Sequence, residues 1–160
     1  MKRQIRQFPL RLHLAPCTSL SLKNYNYYSQ YEFGGRAEVS KRIFYDWLQP
    51  MLSTGGATAE TQAPDSSLFF YFAQGGLSYP VTWRKLVVSP FLLGGVHGGK
   101  VASGNTTINF LLPSMESGLK ADLFFNNTVG LSLSASYVLL LDSALPVSIL
   151  RLNLGIALRL

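Results

Sequence analysis

Apolar and polar side chains alternate along most of this chain. In Val147–Leu160, Leu150, Leu152, Leu154, Ile156, Leu158 and Leu160 share one parity, and Ile149, Arg151, Asn153, Gly155, Ala157 and Arg159 share the other. A period of two puts successive side chains on opposite faces of a strand, so the segment has one greasy face and one largely polar face. It is longer than the roughly 9–11 residues that a tilted strand needs to cross a bilayer. Val129–Leu141 repeats the pattern, with Leu131, Leu133, Tyr137 and Leu139 on one face and Gly130, Ser132, Ser134 and Ser136 on the other. Leu10, Leu12 and Leu14 alternate with Arg11 and His13; Phe33, Ala37 and Val39 with Arg36, Glu38 and Ser40; Leu119 and Leu123 with Lys120 and Asp122. The pattern predicts an all-β chain and points to a transmembrane β-barrel.

Turn residues divide these runs. Strands are predicted at about 4–14, 18–31, 33–47, 66–79, 85–97, 107–125, 128–141 and 147–160. Ala15-Pro16-Cys17, a turn near Gln30, Tyr79–Thr82, a Gly-rich loop at 98–105, Asn126-Asn127 and Asp142–Pro146 would connect them. The stretch 48–65 has the composition of an exposed loop, and Pro113 and Gly118 draw much of 107–118 toward a loop. Eight antiparallel strands, up and down, bring both termini to one side and let the first strand pair with the last, closing the edges that invite aggregation. The 160 residues are read as one such barrel domain.

Composition sharpens this reading. Only 14% of residues are charged while 48% are hydrophobic, yet no apolar stretch approaches the roughly 18 residues of a membrane helix. The competing reading is a soluble β-barrel or sandwich with a large core. The faces opposite the leucines argue for the membrane: a soluble barrel would carry Lys and Glu there, whereas this chain has Gly, Ser, Ala and Asn, which suit the crowded interior of an eight-stranded barrel. Tyr25, Tyr27, Tyr28, Tyr31 and Phe33 near one turn, and Tyr79 and Trp83 near another, fit the aromatic girdles of such barrels. The net charge of +6 includes Lys2, Arg3 and Arg6, a cluster suited to a solvated terminus or to anionic headgroups. Nucleic acid is not an expected partner, because the other charges are scattered singly. The lone Cys17 rules out an intrachain disulfide. Arg11 and His13 interrupt what would be the apolar region of a secretory signal, so an exported form is expected to have lost its signal and to carry an added Met1.

With these segments the chain resembles the small eight-stranded outer-membrane barrels of Gram-negative-type bacteria, the OmpA, OmpX and OmpW kind. Val129–Leu141 and Val147–Leu160 carry the resemblance; the latter is similar to the C-terminal strand read by the barrel-assembly machinery, ending in Leu160 where that class usually has an aromatic. The resemblance implies a bacterial outer-membrane location, outer-membrane lipid as surroundings and the assembly machinery as a partner during insertion. It also implies a choice of roles: structural or surface interaction through the loops, above all 48–65; a conduit for small hydrophobic compounds, for which inward-facing Phe70 and Phe72 would speak; or lipid modification. A soluble calycin-like carrier is the alternative outside the membrane.

Motifs for chemistry are sparse. Gly94–Lys100 nearly matches a phosphate loop, but Val101 stands where the hydroxyl residue belongs and no helix follows. His13 and His97 are the only histidines, too few for a convincing metal site, and neither forms a local signature with Ser66, Ser67, Ser103 or Ser143. The expectation is a non-enzyme without cofactor. What remains is a set of charges on the inward parity: Arg11, Arg36, Glu38, Lys120, Asp122, Arg151 and Arg159. Buried charges require partners, so a closed network such as Arg36/Glu38 with Lys120/Asp122 is predicted to plug the lumen.

Overall fold

The computed structural model describes residues 10–23, 31–41, 48–60, 66–103, 106–142 and 146–160. These form β1 (Leu10–Lys23), β2 (Tyr31–Lys41), β3 (Gln49–Glu60), β4 (Ser66–Ser78), β5 (Val81–Trp83), β6 (Leu86–Ser103), β7 (Thr106–Phe124), β8 (Val129–Leu140) and β9 (Val147–Arg159). Eight of the strands close an antiparallel barrel, with β4 bonded to β6 and β1 to β9; the three-residue β5 pairs only with β6, as a side hairpin. Following paired residues from Leu12 through Val39, Leu52, Gly75, Gly94, Met115, Leu139 and Ser148 returns to β1 at Lys23. The register thus climbs by about ten residues per circuit once the bulge between Ser21 and Lys23 is set aside, and the strands tilt steeply, as closure demands.

Eight staves agree with the sequence reading, but two of them lie elsewhere. The N-terminal pair at 4–14 and 18–31, with its turn at Ala15-Pro16-Cys17, is one strand, β1, running through Pro16. Proline is tolerated because the β1–β9 ladder lapses there: Leu14 pairs with Ile156 and Cys17 with Asn153, while Ala15 and Pro16 have no partner on that side. A side chain at Gly155 would run into the backbone of Leu14 and Ala15, so glycine permits the close approach. Segments 4–9 and 24–30 lie outside the described residues.

The expected loop at 48–65 is mostly β3, with Gln49, Met51, Ser53, Ala57 and Ala59 buried inside the barrel. Its Gly and Thr residues mimic turn chemistry, but they make room: the Phe72 ring lies over Gly55. The same reason extends β6 through the predicted 98–105 loop to Ser103, since the Tyr71 ring covers Gly98 and the Phe110 ring covers Gly99, a known way of stabilising glycine in strands. β7 is continuous through Pro113 and Gly118. Pro113 sits just past the last β7–β8 pair, Ser114 with Leu140, where no ladder N–H is needed. The predicted strand 33–47 is shorter, ending at Lys41; 42–47 lies outside the described residues.

The usual arrangement of apolar and polar surface is inverted. Among the described residues, thirty large hydrophobic ones are exposed, including Leu131, Leu133, Leu152, Leu154 and Ile156, against fifteen buried hydrophobic ones, while more than twenty polar or charged residues are buried. A water-soluble monomer does not expose apolar surface as a continuous belt. Hydrocarbon is the solvent that such a belt suits, and the aromatics bracket it. Tyr31, Phe33, Phe69 and Tyr71 are exposed toward the end away from the termini, and Tyr79, Trp83 and Phe125 at the terminal end.

Candidate functional site: a sealed polar lumen beneath an apolar mouth

The inward parity of β1, β2, β7, β8 and β9 gathers charges on the barrel axis. Glu116, on β7, is fully buried and central. One of its oxygens takes the Ser136 hydroxyl at 2.6 Å and the Arg36 guanidinium; the other takes Arg151 Nη1 at 3.1 Å. Arg36 Nε lies 2.6 Å from Glu38 Oε1, and Glu38 Oε2 lies 2.7 Å from Lys120 Nζ. Nearer the termini, Asp122 accepts from Ser132 at 2.7 Å and lies 3.0 Å from His13 Nε2, whose Nδ1 is 3.4 Å from Lys120 Nζ. Toward the mouth, Arg151 lies 3.0 Å from His97 Nε2, and its guanidinium sits 4.3 Å from the centre of the Phe72 ring, itself stacked on His97 at 5.1 Å. Three cations, Arg36, Lys120 and Arg151, thereby meet two carboxylates, Glu38 and Glu116, while the buried Asp122 is held by His13 and Ser132, so these desolvated charges are offset chiefly by one another.

Of the seven charges singled out in the sequence, five lie in this network. Arg11 and Arg159 instead sit half-buried at the terminal end, where they pair in register and Arg159 lies over the Phe124 ring at 3.4 Å. Lys120 reaches Glu38 across the barrel, whereas Asp122 turns to His13 and Ser132. Sequence reasoning missed three members. Glu116 fell in a stretch discounted for Pro113 and Gly118, and His13 and His97 were weighed as catalytic bases although their parity already placed them inside. The space left is small: a void of about 10 Å³ among His13, Arg36, Glu38, Lys120, Ser132, Ser134 and Asn153, about the size of one water. Removing one hydroxyl tests how tightly this region is set. Ser132→Ala is expected to destabilise the barrel by about 1.5 kcal/mol, the scale of a hydrogen bond to a charged group, measured by urea unfolding in lipid vesicles.

Above the network the lumen changes character. Leu68 and Phe70 of β4, Val101 of β6, Ile108, Phe110 and Leu112 of β7, Leu140 of β8 and Val147 of β9 line a cavity of about 240 Å³, with Asp142 its one charged lining residue. Phe70 and Phe110 meet edge to face at 6.0 Å. Ala59, Leu68 and Phe70 form one apolar cluster of its wall and Val138, Leu140 and Ile149 another. The wall is also uneven. β6 and β7 pair up to Ser103 and Thr106, but β8 joins β7 only from Ser114. The edge of β7 from Thr106 to Leu112 therefore has no strand partner on its β8 side among the described residues, the Pro113 carbonyl accepting the Leu141 N–H at 2.9 Å, and the cavity abuts this notch.

A closed eight-stranded barrel with an apolar belt, aromatic borders and a charge-filled lumen is the fold of the small outer-membrane β-barrels. Its particular likenesses fall in that class. Over 94% of this chain and 97% of the other, the fold matches Neisserial surface protein A with a TM-score of 0.77 at 11% identity. A major outer membrane protein of Thermus thermophilus matches over 93% and 99% (TM-score 0.61, 13% identity), and Ail, the attachment invasion locus protein of Yersinia pestis, over 93% and 96% (TM-score 0.56, 13% identity). No protein-family model and no curated protein sequence matches the chain.

Proposed function

We propose that this chain is a non-enzymatic bacterial outer-membrane barrel that receives small apolar molecules in its mouth and does not pass solutes along its axis. The observation that carries this reading is the apolar cavity seated directly on a charge-paired plug. The cavity is smaller than the roughly 300–1,000 Å³ of sites for drug-sized ligands, so the guest is a short alkyl or single-ring compound. Phe70 and Phe72 face inward, as a hydrophobic conduit requires. Among the described residues, the notch beside β7 leaves the guest a sideways route toward the hydrocarbon that avoids Arg151 and Glu116. Both histidines are committed to charged partners, His13 to Asp122 and His97 to Arg151, which disfavours acyl-transfer chemistry. A contact role for 48–65 loses its support, because β3 occupies most of that stretch.

The test uses the full chain in lipid nanodiscs with a diazirine-bearing octanol as photoprobe. Adducts are expected on Leu68, Phe110 and Val147, lost in Phe110→Glu, with no steady conductance in planar bilayers. Adducts confined to outward residues such as Leu133, or an open channel, would overturn the reading.

A further inference from the structure

The end of the barrel that carries the termini has a one-sided charge. Every exposed charged side chain described there is basic: Lys41 at the end of β2, and Arg84 and Lys85 at the tip of the β5–β6 hairpin. Among the described side chains, the carboxylate nearest this end is Asp122, which is fully buried and engaged by His13 and Ser132, so it does not neutralise them.

The hairpin itself is unusual. β5 pairs only with β6, and Val81, Thr82 and Trp83 are all exposed; Trp83 is 74% exposed, the most open of the large hydrophobic residues described. A bond from Phe124 N–H to the Lys85 carbonyl at 2.9 Å ties its tip to the end of β7, next to the exposed Phe125 ring. The two-residue turn puts Arg84 at φ 56°, and a positive φ at the first central position of such a turn is normally given to glycine. A cation held where glycine would be easier indicates a use for the cation. Indole and valine beside two cationic tips, continuous with the apolar belt, is the arrangement that spans a membrane boundary, with rings at the acyl edge and charges at the phosphates.

We propose that the Trp83–Arg84–Lys85 tip, with Lys41, binds the phosphate groups of anionic phospholipids in the leaflet on the terminal side of the barrel. The proposal rests on the chain residing in a bilayer, and the experiment separates the two. The full chain is reconstituted in phosphatidylcholine bilayers, and the motionally restricted fraction of spin-labelled phosphatidylglycerol is compared with that of spin-labelled phosphatidylcholine. A basic residue near an anionic surface shifts association by about fivefold, so a preference of at least that size for phosphatidylglycerol is expected at low salt, falling toward parity in 0.5 M salt (about 4 Å screening). In Arg84→Gly/Lys85→Ser/Lys41→Ser the preference is expected to fall several-fold while the restricted phosphatidylcholine fraction stays constant; glycine suits the turn, so this variant keeps the hairpin. Equal restriction of both lipids by the parent protein, or an undiminished preference in the variant, would overturn the proposal. Absence of any restricted lipid would instead overturn the membrane reading beneath it.

Discussion

Glu116→Gln is expected to cost the barrel about 3–5 kcal/mol, the penalty for leaving buried charges without their counter-ion. Glutamine keeps the volume, so no cavity contributes. What changes is the acceptor: one carboxylate serves Arg36, Arg151 and the Ser136 hydroxyl. Arg36 retains Glu38, but Arg151 loses its ion pair: its remaining contacts, His97 at 3.0 Å, Ser19 at 3.5 Å and the Phe72 face, are not anionic, and the buried Glu32 carboxylate acts on it only through space. The loss would be read by urea unfolding in vesicles and as a lower temperature for the folded-to-unfolded band shift in unboiled gels. A compensating variant makes the attribution specific. Glu116→Met together with Arg36→Met and Arg151→Leu should recover most of the loss, since apolar residues of similar size often replace a buried ion cluster at no cost. A change below about 1 kcal/mol in the single variant would mean that the lumen is wet enough to solvate both guanidiniums, and the sealed plug would have to be abandoned.

The network also explains how far function could be read from sequence. Parity alone assigned Arg36, Glu38, Lys120, Asp122 and Arg151 to the interior, because a period of two is a property of the strand and survives any choice of fold. Partners are a different matter. They depend on which strands face each other across the lumen, hence on strand placement and register, and here the strand map was displaced. Reading Pro16 as a turn and Gly55-Gly56 as a loop moved β1 and β3 while preserving the count of eight. Both displacements share one cause: glycine and proline commonly mark breaks in strands, whereas here they allow close backbone approach at Gly155 and aromatic cover at Gly55, Gly98 and Gly99. The apolar mouth was legible only as single inward residues such as Phe70. Its existence as a cavity follows from β6 and β7 rising beyond β8, a difference in strand length that alternation does not encode.

Leu154→Arg provides the second large effect, and it asks which solvent surrounds the barrel. Leu154 stands midway along β9, 53% exposed and paired with Leu133, which is 55% exposed. On the surface of a water-soluble barrel an arginine there would be nearly neutral, because surface substitutions rarely exceed about 0.5 kcal/mol. In a bilayer the same change puts a guanidinium near the midplane of the hydrocarbon, where outer-membrane-type barrels lose about 2–4 kcal/mol, against about 0–1 kcal/mol near the interface. Leu160→Arg, on the same face but at the end of the chain, is therefore the matched control. Reversible urea titrations of the two variants in vesicles should differ by about 1–4 kcal/mol, with Leu154→Arg the weaker. Equal stabilities would mean that the leucine belt is not held in hydrocarbon. Because the inward Arg151 and Asn153 precede this position on the opposite parity, a depth-dependent cost would also fix the register of β9, since a slip of one residue would turn Leu154 into the lumen and bring the network to the lipid.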